Sequence, residues 1–180
     1  MPTMRDRISA AIPGCKIAWD WTCCSPSQEP TFRSLLERLR PRVVVEIGTH
    51  QGVSAALLAE YAERVITIDV LPNPARHAVW DALGVRDKIE EHVHKSSAGR
   101  DAEIARAANV ADLSFVDGSH LMPDVERDFC LVLPTKRILL HDYWENAEDW
   151  PDVKEFVDHQ IVNGFDVTIR KPFALVEVPK

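Results

Sequence analysis

The sequence predicts an α/β domain: a doubly wound, mostly parallel seven-stranded sheet with an antiparallel hairpin at its C-terminal edge. Three observations predict it. The run Val43-Val44-Val45-Glu46-Ile47-Gly48 is β-branched and too continuous for a half-exposed strand, so it reads as a buried parallel one. A strand pattern followed by a helix pattern then recurs along the chain, the series that layers helices on a parallel sheet. Finally, polar and ionisable residues end four of the first five apolar strands, on the rim where such a sheet holds its ligand.

Residues 1–28 carry Pro13-Gly14, two tryptophans and the turn signal Ser25-Pro26-Ser27 without a sustained period, and read as an irregular arm before one domain at 29–180. Phe32, Leu35, Leu36 and Leu39 fall at helical spacing, with Pro30 in the first turn and Pro41 closing the segment. The strand at 43–48 leads into a helical stretch from Ser54 to Glu63. Val65 to Asp69 is a second strand with a helix near Arg76 to Leu83, and Ile89 to His94 a third with a helix around Gly99 to Ala108. The fourth runs from Asp112 to Asp117, and its helix opens near Pro123 and buries Val125, Phe129 and Val132. The fifth is Arg137 to His141. A last helix runs from Pro151 through Ile161, with Gly164 suited to its C-terminal cap. Phe165 to Arg170 and Phe173 to Val178, separated only by Lys171-Pro172, make the edge hairpin.

Composition sets outer bounds. The 180 residues, 46% hydrophobic and 27% charged, suffice for one domain with a sizeable core. A net charge of −7 offers no broad positive field for a nucleic-acid backbone, so a small molecule is the expected partner. No apolar run approaches the roughly 18 residues of a membrane helix, and Met1 to Gly14 mixes Arg5, Asp6 and Arg7 with short apolar stretches. A cytoplasmic chain is expected, with no membrane partner. Cys15, Cys23, Cys24 and Cys130 lack C-x-x-C spacing and read as reduced, structural thiols.

The strand ends carry the functional signal. After the first strand stands Gly48-Thr49-His50-Gln51-Gly52, after the second Asp69, after the fourth Asp117-Gly118-Ser119-His120, and after the fifth His141-Asp142. Taken singly, these are ordinary turn residues. Yet the fourth and fifth strands should be neighbours about 4.8 Å apart, which would bring two carboxylates and two histidines together. The glycine loop lacks the second and third glycines of G-x-G-x-x-G, where His50 and Val53 stand, so it ill suits a pyrophosphate. Asp69, 21 positions after Gly48, is placed to accept hydrogen bonds from a ribose diol. The expected ligand is a nucleoside without a diphosphate.

Glu46-Ile47-Gly48-Thr49-His50-Gln51-Gly52-Val53-Ser54 resembles the first motif of class I S-adenosylmethionine-dependent methyltransferases, in the E-I-G-T-x-x-G-x-S form of small O-methyltransferases. Asp117-Gly118-Ser119-His120, with Asp128 eight positions after His120, and His141-Asp142-Tyr143 resemble the D-G-x-H and H-D-Y signatures of a subgroup that includes macrolide-sugar O-methyltransferases. The resemblance implies a Rossmann-like methyltransferase fold over 42 to about 160. It also implies cofactor contacts from Glu46, Gly48, Thr49, Gly52 and Ser54, with Asp69 on the ribose and Ser96 and Ser97 near the adenine. Asp117 would be a metal-binding aspartate, His120 the general base, and His141-Asp142 the ligand pair after the fifth strand. Where relatives often have an acidic residue, this chain has His141.

Methyl transfer from a sulfonium to oxygen is an in-line displacement, so the protein must align the two partners and raise the acceptor's nucleophilicity. A divalent cation on Asp117, Asp142 and His141 would lower the acceptor's pKa while His120 takes its proton. Oxygen ligands favour Mg2+, and a histidine tilts the set towards Mn2+, Fe2+ or Zn2+. His120 suits a base because an ordinary imidazole is substantially neutral at pH 7. His77, His92, His94 and His159 have no constellation around them in the sequence. Trp19, Trp21, Trp144 and Trp150 read either as an aromatic substrate wall or as packing anchors. With no long insertion to form a lid, the pocket for a hydroxylated small molecule would come from these segments or from a second subunit of a homo-oligomer. Two other readings share the scaffold: a nicotinamide-dependent oxidoreductase, which the broken glycine pattern opposes, and a non-catalytic nucleoside-binding module.

Overall fold

The computed structural model describes residues 2–95, 97–144 and 150–179, the side chain of Trp21 excepted. In chain order the elements are α1 (Met4–Ala11), α2 (Glu29–Leu39), β1 (Val43–Ile47), α3 (Val53–Tyr61), β2 (Arg64–Asp69), α4 (Ala75–Leu83) and β3 (Ile89–Val93). There follow α5 (Ser97–Ala108), β4 (Leu113–Val116), α6 (Met122–Val132), β5 (Arg137–Leu140), α7 (Pro151–Val162), β6 (Asp166–Arg170) and β7 (Phe173–Glu177). The strands form one seven-stranded sheet in the order β3-β2-β1-β4-β5-β7-β6. The first five run parallel, and β7 lies antiparallel to both β5 and β6. Strand order therefore reverses between β1 and β4, as the doubly wound reading requires.

Alternation along each strand divides the core into two layers. Val44, Val65, Leu113 and Leu139 face one layer with α2, α3 and α4, while Val45, Ile66, Val116 and Ile138 face the other with α5, α6 and α7. Covered on both faces, the central strands are mostly apolar, with Glu46, Thr67 and Ser114 the buried polar exceptions, which explains the run of valines that opens β1. The helix α3 is buried from Val53 to Ala59, consistent with its apolar character on every side. Among the described residues no helix is long and apolar enough to cross a membrane.

The structure corrects the expectation of a wholly irregular arm. Thr3 and Asp6 form a reciprocal capping box that starts α1, and Met4 and Ile8 are buried in the first core layer. The backbone N–H of Met4 donates to both oxygens of the buried Glu29, at 3.0 and 2.9 Å. A carboxylate at a helix N-terminus offsets the positive end of the helix dipole. An eight-residue helix with two core-facing residues is too short to show a period, and this is why the sequence pattern misses it.

Candidate active site

The chain leaves β1 through a loop that only glycine can make. Gly48 has φ +93°, and a Cβ there would lie 2.1 Å from the backbone oxygen of Asp117. Glycine is thus required for the ends of β1 and β4 to pass, beyond any approach of a ligand. Gly52, with φ +77°, heads α3; a Cβ would meet Nε1 of Trp80 at 2.6 Å, and that indole donates to the Gly52 carbonyl at 2.8 Å. Beside this loop opens a cleft of about 750 Å3 running from the ends of β1 and β2 to those of β4 and β5. This is an ordinary size for a small-molecule or cofactor site.

The expected cofactor residues divide. Gly48, Thr49, Ser54, Asp69 and Ser97 line the cleft, whereas Glu46 and Gly52 do not; Ser96 lies outside the described residues. Glu46 sits fully buried beneath the loop, and burial pushes its carboxyl up to about 7, against the hydroxyls of Ser54 and Thr67. Thr67 donates to Oε2 at 2.5 Å and joins the Thr49 hydroxyl at 2.6 Å, so a chain of hydrogen bonds links Glu46 to the cleft wall. Among the described residues no hydrogen bond of standard geometry reaches Oε1.

Asp69 stands at the wall with its lone pairs engaged. Its Oδ2 accepts from the backbone of Thr49 (3.2 Å) and His50 (2.9 Å) and from Arg76 (3.0 Å), and its Oδ1 from the backbone of Val70 (2.7 Å) and Leu71 (3.1 Å). A carboxylate offers about four lone-pair sites, so a ribose diol would have to displace or share one of these donors. The buried Arg76 extends the network, donating to Glu91 at 2.8 Å, to the His50 carbonyl at 3.2 Å and to the Leu71 carbonyl at 2.9 Å. The sequence reading missed Arg76. Its signal was a cation sharing the helical face of Val79, Trp80 and Leu83.

The far end of the cleft gathers the four residues from β4 and β5. Because β4 and β5 pair in parallel, Asp117 and His141-Asp142 follow adjacent strand ends. Nδ1 of His141 lies 3.0 Å from Oδ1 of Asp117 and 3.1 Å from Oδ2 of Asp142. Nε2 of His120 lies 2.8 Å from Oδ2 of Asp142 and 3.9 Å from Oδ1 of Asp117, but without hydrogen-bond geometry to either. Burial would lower the pKa of each imidazole, yet the nearby carboxylates of Asp117 and Asp142 lift His120 to about 9 and, with a hydrogen bond to Asp117 as well, His141 to about 10. Burial likewise opposes ionisation of Asp142, and the two imidazoles hold its carboxyl well below the ordinary range. The expectation of a neutral His120 at pH 7 is thereby corrected: with both carboxylates beside it, the imidazole is cationic until another positive charge offsets them.

Ligand atoms of Asp117, His141 and Asp142 all lie within 4.8 Å of one another. Two carboxylates and one imidazole, mutually close and otherwise balanced only by protons, fit a divalent cation. The arm completes the wall: Gln28 lies 2.8 Å from Nε2 of His141 through its Oε1, and Gln51 of the glycine loop accepts from the Ala18 backbone and donates to the Lys16 carbonyl. Trp150 stacks on His120 with ring centres 4.1 Å apart and lines the cleft. Trp144 instead donates to Asp142 at 3.3 Å, and Trp19 packs against the core.

A doubly wound sheet with its switch point between β1 and β4, a glycine turn tied to an acidic residue after β2, and acidic and imidazole groups after β4 and β5 define a class I methyltransferase. A family model described as a methyltransferase domain matches residues 45–157, more than half of the chain, and the chain belongs to that family. No curated protein matches it in sequence. Solved structures do match in fold. The SAH-bound methyltransferase PaMTH1 of Podospora anserina shares 14% identity at a TM-score of 0.73, over 100% of this chain and 89% of that one. The O-methyltransferase TomG of Streptomyces achromogenes, involved in tomaymycin synthesis and solved with SAM, shares 21% identity at 0.63, over 98% and 89%. MycE of the mycinamycin pathway, solved with Mg, SAH and mycinamycin VI, shares 16% at 0.60, over 98% of this chain and 54% of that one.

Proposed function

We propose that this methyltransferase moves the methyl group of S-adenosylmethionine to a hydroxyl of a small molecule, with a divalent cation at Asp117, His141 and Asp142. The observation that carries this reading is the meeting of these three residues and His120 at one end of a cleft whose other end is walled by Gly48, Thr49 and Asp69. The nucleoside would be held at the β1 and β2 ends, where the hydrogen-bond chain from Glu46 fixes Thr49. At Asp69 ribose hydroxyls would contend with the donors already present. His120 and Trp150, stacked on each other at the cleft wall, would border the acceptor position. When bound, the cation supplies Lewis-acid polarisation of the acceptor hydroxyl and offsets the charge of the carboxylates. With that charge offset, His120 would be the base for the acceptor's proton, its ring turning away from Asp142 to reach it.

S-adenosylhomocysteine should raise the melting temperature of the folded protein, and flat titrations with both it and SAM would sink the reading. Asp117→Ala should abolish Mg2+ or Mn2+ dependence of methyl transfer while leaving S-adenosylhomocysteine binding largely intact. Loss of cofactor binding alone would refute this division of roles.

A further inference from the structure

Two histidines that the sequence leaves without partners meet at the opposite margin of the sheet. His92 lies on β3, and His94 continues its ladder by donating its backbone N–H to the Asp69 carbonyl at 2.9 Å. Two positions apart, they point to one face, their rings parallel within 2° and 6.3 Å apart. Glu103 of α5 reaches the same place: its Oε1 is 3.5 Å from Nε2 of His92. Ligand atoms of His92, His94 and Glu103 all lie within 4.8 Å of one another. A separate observation points to a missing ligand: Nε2 of His94 is shielded from solvent and, among the described residues, has no hydrogen-bond partner.

The geometry points to a second cation site at His92, His94 and Glu103, one that takes a borderline transition metal such as Zn2+ in preference to Mg2+. Two imidazoles and a carboxylate are a donor set that suits Zn2+, Co2+ and Ni2+, whereas Mg2+ seeks oxygen. Two atoms bound to one zinc at about 2.1 Å are at most about 4.2 Å apart, so the present spread needs only a modest closing of side chains. The surrounding charges leave room for it. Glu90 and Glu103 are paired with Arg64 and Arg106, and His92 Nε2 lies 2.7 Å from Oε1 of Glu90. A cation takes the place of the proton shared there and displaces Arg106 from Glu103. It ties α5 to the edge strand β3, nearly two turns beyond Ser97 at the cleft wall.

The test titrates Co2+, as a visible probe for zinc, into the intact chain under excess Mg2+ and into the Asp142→Ala variant. The expected result is a visible absorption band in both, with affinity reduced at least tenfold by His94→Ala and by His92→Ala. Arg106→Ala should tighten binding several-fold by freeing Glu103. Far-UV circular dichroism establishes that each variant is folded, and if His94→Ala is not, His92→Ala decides. A band that survives when either histidine substitution is combined with Asp142→Ala, or that vanishes in Asp142→Ala alone, overturns the site. Unchanged or weaker binding in Arg106→Ala removes Glu103 as a ligand.

Discussion

Glu46 shows how far a single side chain is set by its surroundings. Its folded pKa of about 7 exceeds the ordinary 4.5 because burial disfavours the charge. Between those two values the folded state holds more protons than the unfolded one, so stability falls as pH rises through the interval and is fully present below it. The shift corresponds to on the order of 3 kcal/mol. Glu46→Gln should flatten that part of the curve, read as urea midpoints of the ligand-free protein from pH 4.5 to 8. Gly48 is fixed by a different force. Alanine would combine an unfavourable φ with a Cβ driven into the Asp117 backbone, costing about 3 kcal/mol or more. Chemical denaturation of Gly48→Ala should show that loss, together with loss of cofactor binding. The sequence marks both residues as part of the first motif, but the cause at Gly48, a crossing of two strand ends, appears only once β4 is in place.

At the scale of elements, Arg76 joins four pieces of chain: the loop after β1, the end of β2, the start of α4 and β3. Its side chain is 1% exposed and makes ion pairs with Asp69 and Glu91. Arg76→Met would take the guanidinium from two largely buried carboxylates, leaving Asp69 its backbone donors and Glu91 its contact with His77, a loss on the order of 3 kcal/mol. Its urea midpoint should fall accordingly, and the glycine loop should exchange its amide protons faster, since His50 loses its carbonyl partner. Most element boundaries were legible because apolar periodicity and proline positions report them directly. The helix α1 was not, since two buried residues make no period. The hairpin was, although it is β7 that joins β5 and β6 that forms the edge.

Across the whole molecule, the cleft lies between the two halves of the sheet, so ligand binding stabilises the fold as a unit. S-adenosylhomocysteine at a hundred times its Kd should add about 2.7 kcal/mol to the unfolding free energy, measurable as a shift in the denaturation midpoint. The sequence by itself determined the strand–helix series and the residues at the strand ends, because these follow from local periodicity and turn chemistry. Only the tertiary structure decided what those residues do to one another. It placed two carboxylates against His120 and raised its pKa, filled the lone pairs of Asp69, brought Gln28 of the arm to His141, and set His92 and His94 beside Glu103. Each depends on distances of a few ångströms between segments far apart in the chain, where electrostatics and hydrogen bonding act and sequence spacing carries no information.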